Sequence, residues 1–256
     1  MANTEPSSPQ QEDVLNGVGL SRPLVWDTAT TLRFWNHYSR SPDLYFTNRY
    51  GTRLLDCVSK FLPKSGRILD YACGTGGLTG LLLDSGYQVT ATDLSPTAVH
   101  GVGQRYADRS NFLGAQLVGD LLDSREQFSA AFLIEMIEHL DDVVLLEAFS
   151  DVRRLLIPSG LVVISTPNNE NLEIETVYCP CCNHTFHRWQ HVRSWSAITL
   201  ETFLRQQGFE LIELLKTDLS LTPRDGRFRY IAKNFAGRLL KRKAPHLVAV
   251  ARLTTR

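Results

Sequence analysis

The chain has 256 residues, 43% of them hydrophobic, and equal numbers of basic and acidic side chains give a formal net charge of zero. This composition supplies a sizeable core for one large domain. The zero net charge argues against non-specific binding to nucleic acid or to anionic membranes. No apolar window approaches the length of a membrane span, and the first residues lack the basic and apolar regions of a signal peptide. We therefore expect a cytoplasmic protein that begins with a disordered tail over residues 1–27.

Residues 28–62 carry apolar and aromatic positions at helical spacing, among them Trp35, Tyr38 and Tyr45. This spacing predicts two helices that are broken near Ser41-Pro42. We interpret the segment as a helical N-terminal lid. Its aromatic rings either cover a bound ligand, partly through cation–π contact, or simply form the core face of a helix.

From residue 63 to residue 256, apolar runs of strand length alternate with helical patterns. Strands are expected at 67–71, 88–92, 114–118, 130–134, 161–166, 209–215 and 246–252. Helices are expected at 77–85, from Ser95-Pro96, at 141–156 and at 199–207. Such alternation predicts a parallel sheet with helices on both faces. Two stretches of weaker pattern, 168–198 and 216–245, are interpreted as insertions in this domain.

A glycine-rich turn, Asp70-Tyr-Ala-Cys-Gly-Thr-Gly76, follows the first of these strands, and the second strand ends at Asp93. The glycines let the backbone approach a ligand closely, and Asp93 can accept hydrogen bonds from two ribose hydroxyls. The glycine spacing misses that of a dinucleotide site by one residue, and Asp70 would repel a diphosphate. An acid at this position suits a cationic ligand. The turn therefore predicts S-adenosylmethionine as the cofactor, not NAD.

These segments, with Val118-Gly-Asp120, Glu135-Met-Ile-Glu-His-Leu140 and Ile164-Ser-Thr-Pro-Asn168, resemble in order the motifs of class I S-adenosylmethionine-dependent methyltransferases of type 11/12. The resemblance covers about residues 45–215. It implies a Rossmann-like α/β fold with a seven-stranded, mostly parallel sheet, helices on both faces and an antiparallel last strand. It assigns the methionine moiety to the glycine turn, the ribose to Asp93 and the adenine to Asp120. The cofactor-binding residues it implies are Asp70, Ala72, Gly74, Gly76, Asp93, Leu94, Asp120, Leu121 and Ile134.

The 168–198 insertion holds three of the five cysteines and a group of histidines. Two thiolates and two imidazoles at C-x2-C-x4-H-x3-H spacing suit tetrahedral zinc. The insertion has little apolar material, so a bound ion would help to order it. We expect a zinc site made by Cys179, Cys182, His187 and His191. Cys181 and His184 are spare donors that could replace one of these ligands.

A second metal hypothesis uses Glu135, Glu138 and His139, which form E-x-x-E-H after the fourth strand. Similar runs occur in ubiquinone-pathway O-methyltransferases and in bacterial small-RNA 3′-terminal 2′-O-methyltransferases. In the latter, glutamates and histidines bind a divalent ion that holds the ribose hydroxyls. If His191 joined these three residues, the ion would be catalytic, and magnesium or manganese would suit it as well as zinc.

The expected reaction is methyl transfer to a small molecule, at a hydroxyl oxygen, with His139 and Glu135 as the catalytic residues. His139 is favoured as the base or as a substrate-orienting group. Two alternatives stay open: an RNA 2′-O-methyltransferase with a catalytic divalent metal, and a non-catalytic protein that uses the cysteine–histidine module to bind a partner. The only basic run, Arg238 with Lys241 to Lys243, is typical of a solvated face. We expect a monomer or homodimer without membrane or nucleic-acid partners.

Overall fold

The computed structural model describes residues 21–220 and 244–254. Its N-terminal part contains a short strand β1 (Arg22–Pro23) and the helices α1 (Thr28–Tyr38) and α2 (Phe46–Val58). Asp27 caps α1 by accepting a hydrogen bond from the backbone N–H of Thr30, as short polar side chains do at helix starts. A 3-10 turn at Pro42–Leu44 separates the two helices. The predicted break near Ser41-Pro42 is confirmed, because proline has no N–H for a continuing helix.

Strands and helices then alternate along the chain, as the pattern of apolar residues predicts. The elements are β2 (Arg67–Tyr71), α3 (Gly77–Asp84), β3 (Gln88–Asp93), α4 (Pro96–Arg105), β4 (Phe112–Leu117), α5 (Val118–Asp123), β5 (Phe128–Ile134), α6 (Asp142–Leu155), β6 (Leu156–Pro167), β7 (Thr176–Cys179), β8 (His184–His187), α7 (Ala197–Gln206), β9 (Phe209–Thr217) and β10 (His246–Leu253). No helix among the described residues is both long enough and apolar enough to span a bilayer.

Seven of these strands form one sheet in the order β4-β3-β2-β5-β6-β10-β9. Strands β2 to β6 pair in parallel, and β10 is antiparallel to both of its neighbours. The predicted fold class is confirmed. The strand order reverses between β2 and β5, and in open α/β sheets the crevice at the carboxyl ends of such strands is where ligands bind.

Apolar side chains fill both faces of the sheet. Ile68, Phe132 and Val163 pack on one face with α2 and α3, while Leu69 and Leu133 pack on the other with α6 and α7. Successive strand residues point to opposite faces, so each central strand contributes to both halves of the core. Packing on both faces holds the strand ends that border the crevice in fixed positions.

The 168–198 insertion supplies two of the three strands of a small second sheet, whose order is β1-β8-β7. Strands β7 and β8 form an antiparallel hairpin, and β1 adds to β8 in parallel. The N–H groups of Arg22 and Leu24 donate to the carbonyls of Asn183 and Thr185. The predicted disordered tail over 1–27 is therefore wrong for residues 22–24, because backbone pairing fixes them.

The predicted insertion at 216–245 also needs a correction at its start, since β9 continues through Thr217. Residues 221–243, with the basic run at Arg238 and Lys241 to Lys243, lie outside the described residues, as do residues 1–20 of the expected tail.

Candidate active site

A cavity of about 360 Å³ opens at the carboxyl ends of β2 and β5. The turn after β2, the end of β3 and the segment after β5 form its floor. Helix α1, the start of α2 and residues 189–191 cover it from the other side. Its volume lies within the usual range for small-molecule sites.

The turn after β2 has left-handed backbone conformations at Ala72 (φ +61°), Gly74 (φ +53°) and Gly76 (φ +77°). Glycine is required at position 74 for a second reason: a Cβ there would lie 2.7 Å from Cε1 of Tyr45. Bare backbone therefore faces the cavity beneath an aromatic ring. Gly76 caps α3 and accepts a hydrogen bond from the Tyr106 hydroxyl at 2.8 Å.

Asp93 at the end of β3 holds this turn in place. Its Oδ2 accepts the backbone N–H of Gly74 at 2.9 Å, and its Oδ1 accepts that of Ser95 at 2.9 Å. Each carboxylate oxygen can accept a further hydrogen bond. Burial raises the pKa of Asp93, and its bonds from Ser95 and Gly74 oppose that rise. The arrangement fits a nucleoside whose ribose hydroxyls donate to this carboxylate.

Asp70, the last-but-one residue of β2, lines the same end of the cavity and is only 3% exposed. The hydroxyl of Thr79 donates to its Oδ2 at 2.6 Å. Burial raises the pKa of Asp70 to about 6, although the Thr79 hydrogen bond favours the charged form. Near neutral pH the group is ionised and can face a cationic part of a ligand.

The other predicted cofactor residues divide into two sets. Ala72, Leu94 and Ile134 line the cavity, whereas Gly76, Asp120 and Leu121 do not. Helix α5 starts directly after β4, so Leu121 turns into the core and is fully buried there. Asp120 lies exposed in the first turn of α5. Contact of Gly76, Asp120 and Leu121 with the cofactor stays a prediction.

The N-terminal helices and the insertion meet over the cavity. The indole N–H of Trp35 donates to Oε1 of Gln190 at 2.7 Å, and Nε2 of Gln190 donates to the carbonyl of His139 at 2.9 Å. The Trp35 ring also meets the His139 ring edge-on, with centroids 5.0 Å apart. Tyr38 and Tyr45 line the same cavity. The residues expected to form a lid therefore contact the floor of the site.

Two glutamates follow β5, of which Glu138 is buried and Glu135 is partly buried. Glu135 has φ +48°, and its Oε1 accepts the Ser165 hydroxyl at 2.7 Å. Burial raises the pKa of Glu135 to about 7, against the effect of that hydrogen bond. Glu138 accepts the Thr166 hydroxyl at 2.9 Å through Oε2. Burial, and then the charge of Glu135, raise the pKa of Glu138 well above its usual range.

His139 lies beside Glu138, with its Nδ1 3.4 Å from the carbonyl oxygen of Gln190. Burial lowers the pKa of His139 to about 3, and the neighbouring His191 lowers it further. A neutral imidazole of such low basicity is a poor proton acceptor at neutral pH. Of the two roles predicted for His139, this environment favours orienting a substrate over acting as the base.

The structure separates the two halves of the predicted zinc site. Cys179 pairs with His184 across the β7–β8 hairpin, whereas His187 pairs with Thr176 at the other end. Cys179 and Thr176 are three positions apart along β7, which separates the two ends of the hairpin by about 10 Å. Neither Cys179 nor Cys182 joins a group of three clustered ligand atoms among the described residues. The predicted set of Cys179, Cys182, His187 and His191 is therefore corrected.

The two histidines of that set instead share a carboxylate that the sequence analysis missed, Glu170, which follows β6. Nδ1 of His191 lies 2.5 Å from Oε2 of Glu170, and Nε2 of His187 lies 3.6 Å from its Oε1. The His187 and His191 rings stack with centroids 4.4 Å apart. Glu170 and Gln190 follow no periodic pattern, so no signal in the sequence distinguishes them.

This fold and this site define the class I methyltransferase architecture: a doubly wound sheet with a glycine turn after one strand and a ribose-binding acid after the next. The chain belongs to the methyltransferase family, because the family profile described as a methyltransferase domain matches residues 44–214.

Known proteins resemble the chain over parts of its length. It is 33% identical to a ubiquinone biosynthesis O-methyltransferase of Xylella fastidiosa over 146 residues, 55% of this chain and 56% of that protein. It is 32% identical to the putative methyltransferase YqeM of Bacillus subtilis over 111 residues, 41% and 44% of the two chains. The chain thus spans about half the length of these relatives.

Among solved structures, the Burkholderia thailandensis 1,6-didemethyltoxoflavin-N1-methyltransferase, which contains S-adenosylhomocysteine, has the same fold. It superposes with a TM-score of 0.64 and 19% identity, over 91% of this chain and 92% of that one. At this identity the likeness concerns the fold alone.

Proposed function

We propose that this chain transfers a methyl group from S-adenosylmethionine to a hydroxyl oxygen of a small molecule. One observation carries the proposal: a single cavity is lined both by Gly74 and Asp93, which suit a nucleoside, and by Glu135 and His139, which suit a polar acceptor. When bound, S-adenosylmethionine supplies an electrophilic methyl group on a sulfonium.

In the cofactor half, Asp93 accepts the ribose hydroxyls, and the ionised Asp70 faces the ammonium group of the methionine moiety. Both roles follow from carboxylates that line the cavity with free acceptor capacity. Gly74 allows close approach, since it brings no side chain between the backbone and the ligand. Leu94 and Ile134 provide apolar contacts beside the adenine.

In the acceptor half, Trp35, Tyr38 and Trp189 form an aromatic wall that excludes water from the reaction. The Tyr38 and Trp189 rings lie 5.5 Å apart, and all three residues line the cavity. The acceptor oxygen attacks the methyl carbon in line with the C–S bond, whose electron pair passes to sulfur. Holding the oxygen in that line accounts for much of the rate. Glu135 and His139 flank the acceptor: His139 orients its hydroxyl, and the Glu135 carboxylate accepts the hydroxyl proton.

The oxygen acceptor is supported by the relative from Xylella fastidiosa, whose name describes an O-methyltransferase. The structural likeness to an N-methyltransferase concerns the fold and so does not decide between oxygen and nitrogen. The grouping of Glu138, His139 and His191 is also compatible with the metal-dependent RNA alternative, whereas no described residue adds support to the non-catalytic alternative.

The proposal is tested by calorimetric titration with S-adenosylmethionine, followed by turnover assays on matched phenols and anilines. We expect micromolar cofactor binding and formation of S-adenosylhomocysteine with phenols but not with anilines. The absence of cofactor binding at millimolar concentration would overturn the proposal. Turnover restricted to the anilines would overturn the choice of oxygen.

A further inference from the structure

A cluster of carboxylates and imidazoles lies at the acceptor end of the cavity, and its donor atoms fall into two groups of three. Glu138, His139 and His191 form the first group, while Glu170, His187 and His191 form the second. Within each group the donor atoms all lie within 4.8 Å of one another. Three separate segments supply them: the loops after β5 and β6, and the hairpin strand β8 with the residues that follow it.

The first group contains donor atoms that no hydrogen bond uses. Because Nδ1 of His139 faces the Gln190 carbonyl, Nε2 is its free ring nitrogen, and that atom lies 3.9 Å from Oε1 of Glu138. Glu138 is 1% exposed, and its Oε1 has no hydrogen-bond partner within the described ranges. A buried carboxylate oxygen without a partner is costly unless a cation neutralises it.

In the second group, Glu170 and His187 hold His191, which is also a member of the first group, in position. Metal-binding histidines usually donate their other ring N–H to a carboxylate or a backbone carbonyl, which fixes the tautomer and the ring orientation. His191 has such a partner, because its Nδ1 lies 2.5 Å from Glu170. His139 has one in the Gln190 carbonyl. In both rings, Nε2 is left for an ion.

His187 differs from these two histidines. Its Nδ1 accepts the backbone N–H of His191 at 3.2 Å, so in the neutral ring the proton is on Nε2. That nitrogen is buried, lies 3.6 Å from Glu170 and has no hydrogen-bond partner among the residues described. His187 therefore supports Glu170 electrostatically and is not itself available as a ligand.

We propose that Glu138, His139 and His191 bind a divalent transition-metal ion, and that Glu170 and His187 position His191 for this role. Bonds of about 2.0–2.2 Å place neighbouring ligand atoms roughly 3 Å apart, so modest side-chain rotations close the site. Two imidazoles and one carboxylate suit Zn²⁺, Mn²⁺ or Fe²⁺. The site uses neither Cys179 nor Cys182.

This inference rests on the proposed methyl transfer and deepens it. Three protein ligands leave open coordination positions, as in catalytic metal sites, and the cavity that these ligands line also contains Asp93. With an ion held by these residues, a hydroxyl of the acceptor would take one open position and would lose its proton more readily there. An oxygen on the neighbouring carbon would fill a second position. The acceptor class is therefore a molecule with two adjacent oxygens, such as a vicinal diol or a catechol.

The test uses the full chain in which Cys179→Ser, Cys181→Ser and Cys182→Ser remove the three thiols of the β7–β8 hairpin. After treatment with a chelator, the protein is titrated with Zn²⁺ by calorimetry and with Co²⁺ by absorption spectroscopy. We expect one equivalent of ion to bind, and the cobalt spectrum to lack a sulfur-to-metal charge-transfer band. Loss of all metal uptake in this triple variant would overturn the proposal.

Single substitutions in the same background locate the ion. Glu138→Gln and His191→Ala should each weaken binding at least 100-fold, while Glu170→Gln should weaken it by about 10- to 100-fold, as loss of a supporting group does. His37→Gln, on the exposed end of α1, is the matched control and should change nothing. Unchanged affinity in both Glu138→Gln and His191→Ala would contradict the site. The cobalt spectrum of the parent decides the ligand type if a variant does not fold.

Titration with S-adenosylmethionine on the same samples separates this inference from the proposed function. Cofactor binding without metal uptake overturns the metal centre and leaves methyl transfer in place. Metal uptake without cofactor binding supports the metal centre and overturns the proposed methyl transfer. A catechol should also perturb the cobalt spectrum, and a phenol with a single oxygen should perturb it less.

Discussion

The backbone N–H of Gly74 donates to Oδ2 of Asp93 at 2.9 Å and so links the turn after β2 to the end of β3. The two residues are nineteen positions apart in the chain. The contact places bare backbone and a carboxylate at adjacent points of the cavity wall. A nucleoside ligand needs both: space for close approach, and an acceptor for its hydroxyls.

Replacing the Asp93 carboxylate by an amide should weaken cofactor binding, because the amide has nearly the same shape but no charge. We expect Asp93→Asn to raise the dissociation constant for S-adenosylmethionine by roughly 10- to 100-fold, because a charge-assisted hydrogen bond contributes about 1.5–3 kcal/mol. Calorimetry measures the affinity, and thermal unfolding checks that the variant is folded. Asp84→Asn, which breaks only the exposed ion pair with Arg109, is the control and should bind like the parent.

A methyl group at position 74 should disturb the turn. Gly74→Ala combines a left-handed φ with a Cβ 2.7 Å from the Tyr45 ring, and we expect it to lower the free energy of unfolding by about 1–3 kcal/mol. Gly103→Ala in α4 meets no atom within 4 Å and should be neutral or stabilising. Denaturant titrations measure both variants. Adding Tyr45→Ala to Gly74→Ala should recover part of the loss, and equal losses with and without it would exclude the clash.

The pKa of Asp70 predicts a specific dependence of stability on pH. Since burial raises this pKa from 3.8 to about 6, the folded state holds a proton that the unfolded state releases between pH 4 and 6. Stability of the wild type relative to Asp70→Asn should therefore fall by about 3 kcal/mol as pH rises through that window, then stay level. Urea titrations of both proteins from pH 4 to 7 check this. A constant difference would contradict the raised pKa.

Cofactor affinity should depend on pH in the opposite direction. If the ionised Asp70 faces the ammonium group of S-adenosylmethionine, affinity should weaken as pH falls below about 6, where the carboxyl takes up a proton. Asp70→Asn should bind more weakly at neutral pH and should lose this pH dependence. Calorimetry at pH 5 and pH 7.5 on both proteins gives the comparison.

The side chain of Gln190 should hold α1 against the loop after β5, because it bonds to both. Gln190→Met leaves the Trp35 indole N–H and the His139 carbonyl without their partner, which should cost about 2–4 kcal/mol of stability. Relative to the parent protein, the substitution should accelerate hydrogen exchange in α1 more than in α6. Gln104→Met, at an exposed position of α4, is the control. Unchanged exchange in α1 would show that other contacts hold it.

Much of the sheet could be predicted from local pattern. The strand Arg67–Tyr71 has the predicted bounds, and helix α6 begins after Asp141, whose side chain caps it. Short apolar runs, caps and glycine turns depend on the residues within each segment, so their signals survive without knowledge of the fold. The short hairpin β7–β8 lacks such a signal, since four residues are too few to display a period.

The metal ligands could not be predicted in the same way. The spacing of Cys179, Cys182, His187 and His191 is compatible with zinc, but spacing does not reveal the hairpin register that sends the two pairs to opposite ends. Glu170 joins the histidines only because the loop after β6 returns to the hairpin.

The sequence by itself determined the strand–turn–helix order and the positions of Asp70, Gly74 and Asp93, because backbone conformation and burial period are properties of short segments. Only the tertiary structure decided which donor groups meet. Glu138 and His139 follow β5, whereas His191 follows β8, and their approach depends on how the insertion packs over one end of the sheet.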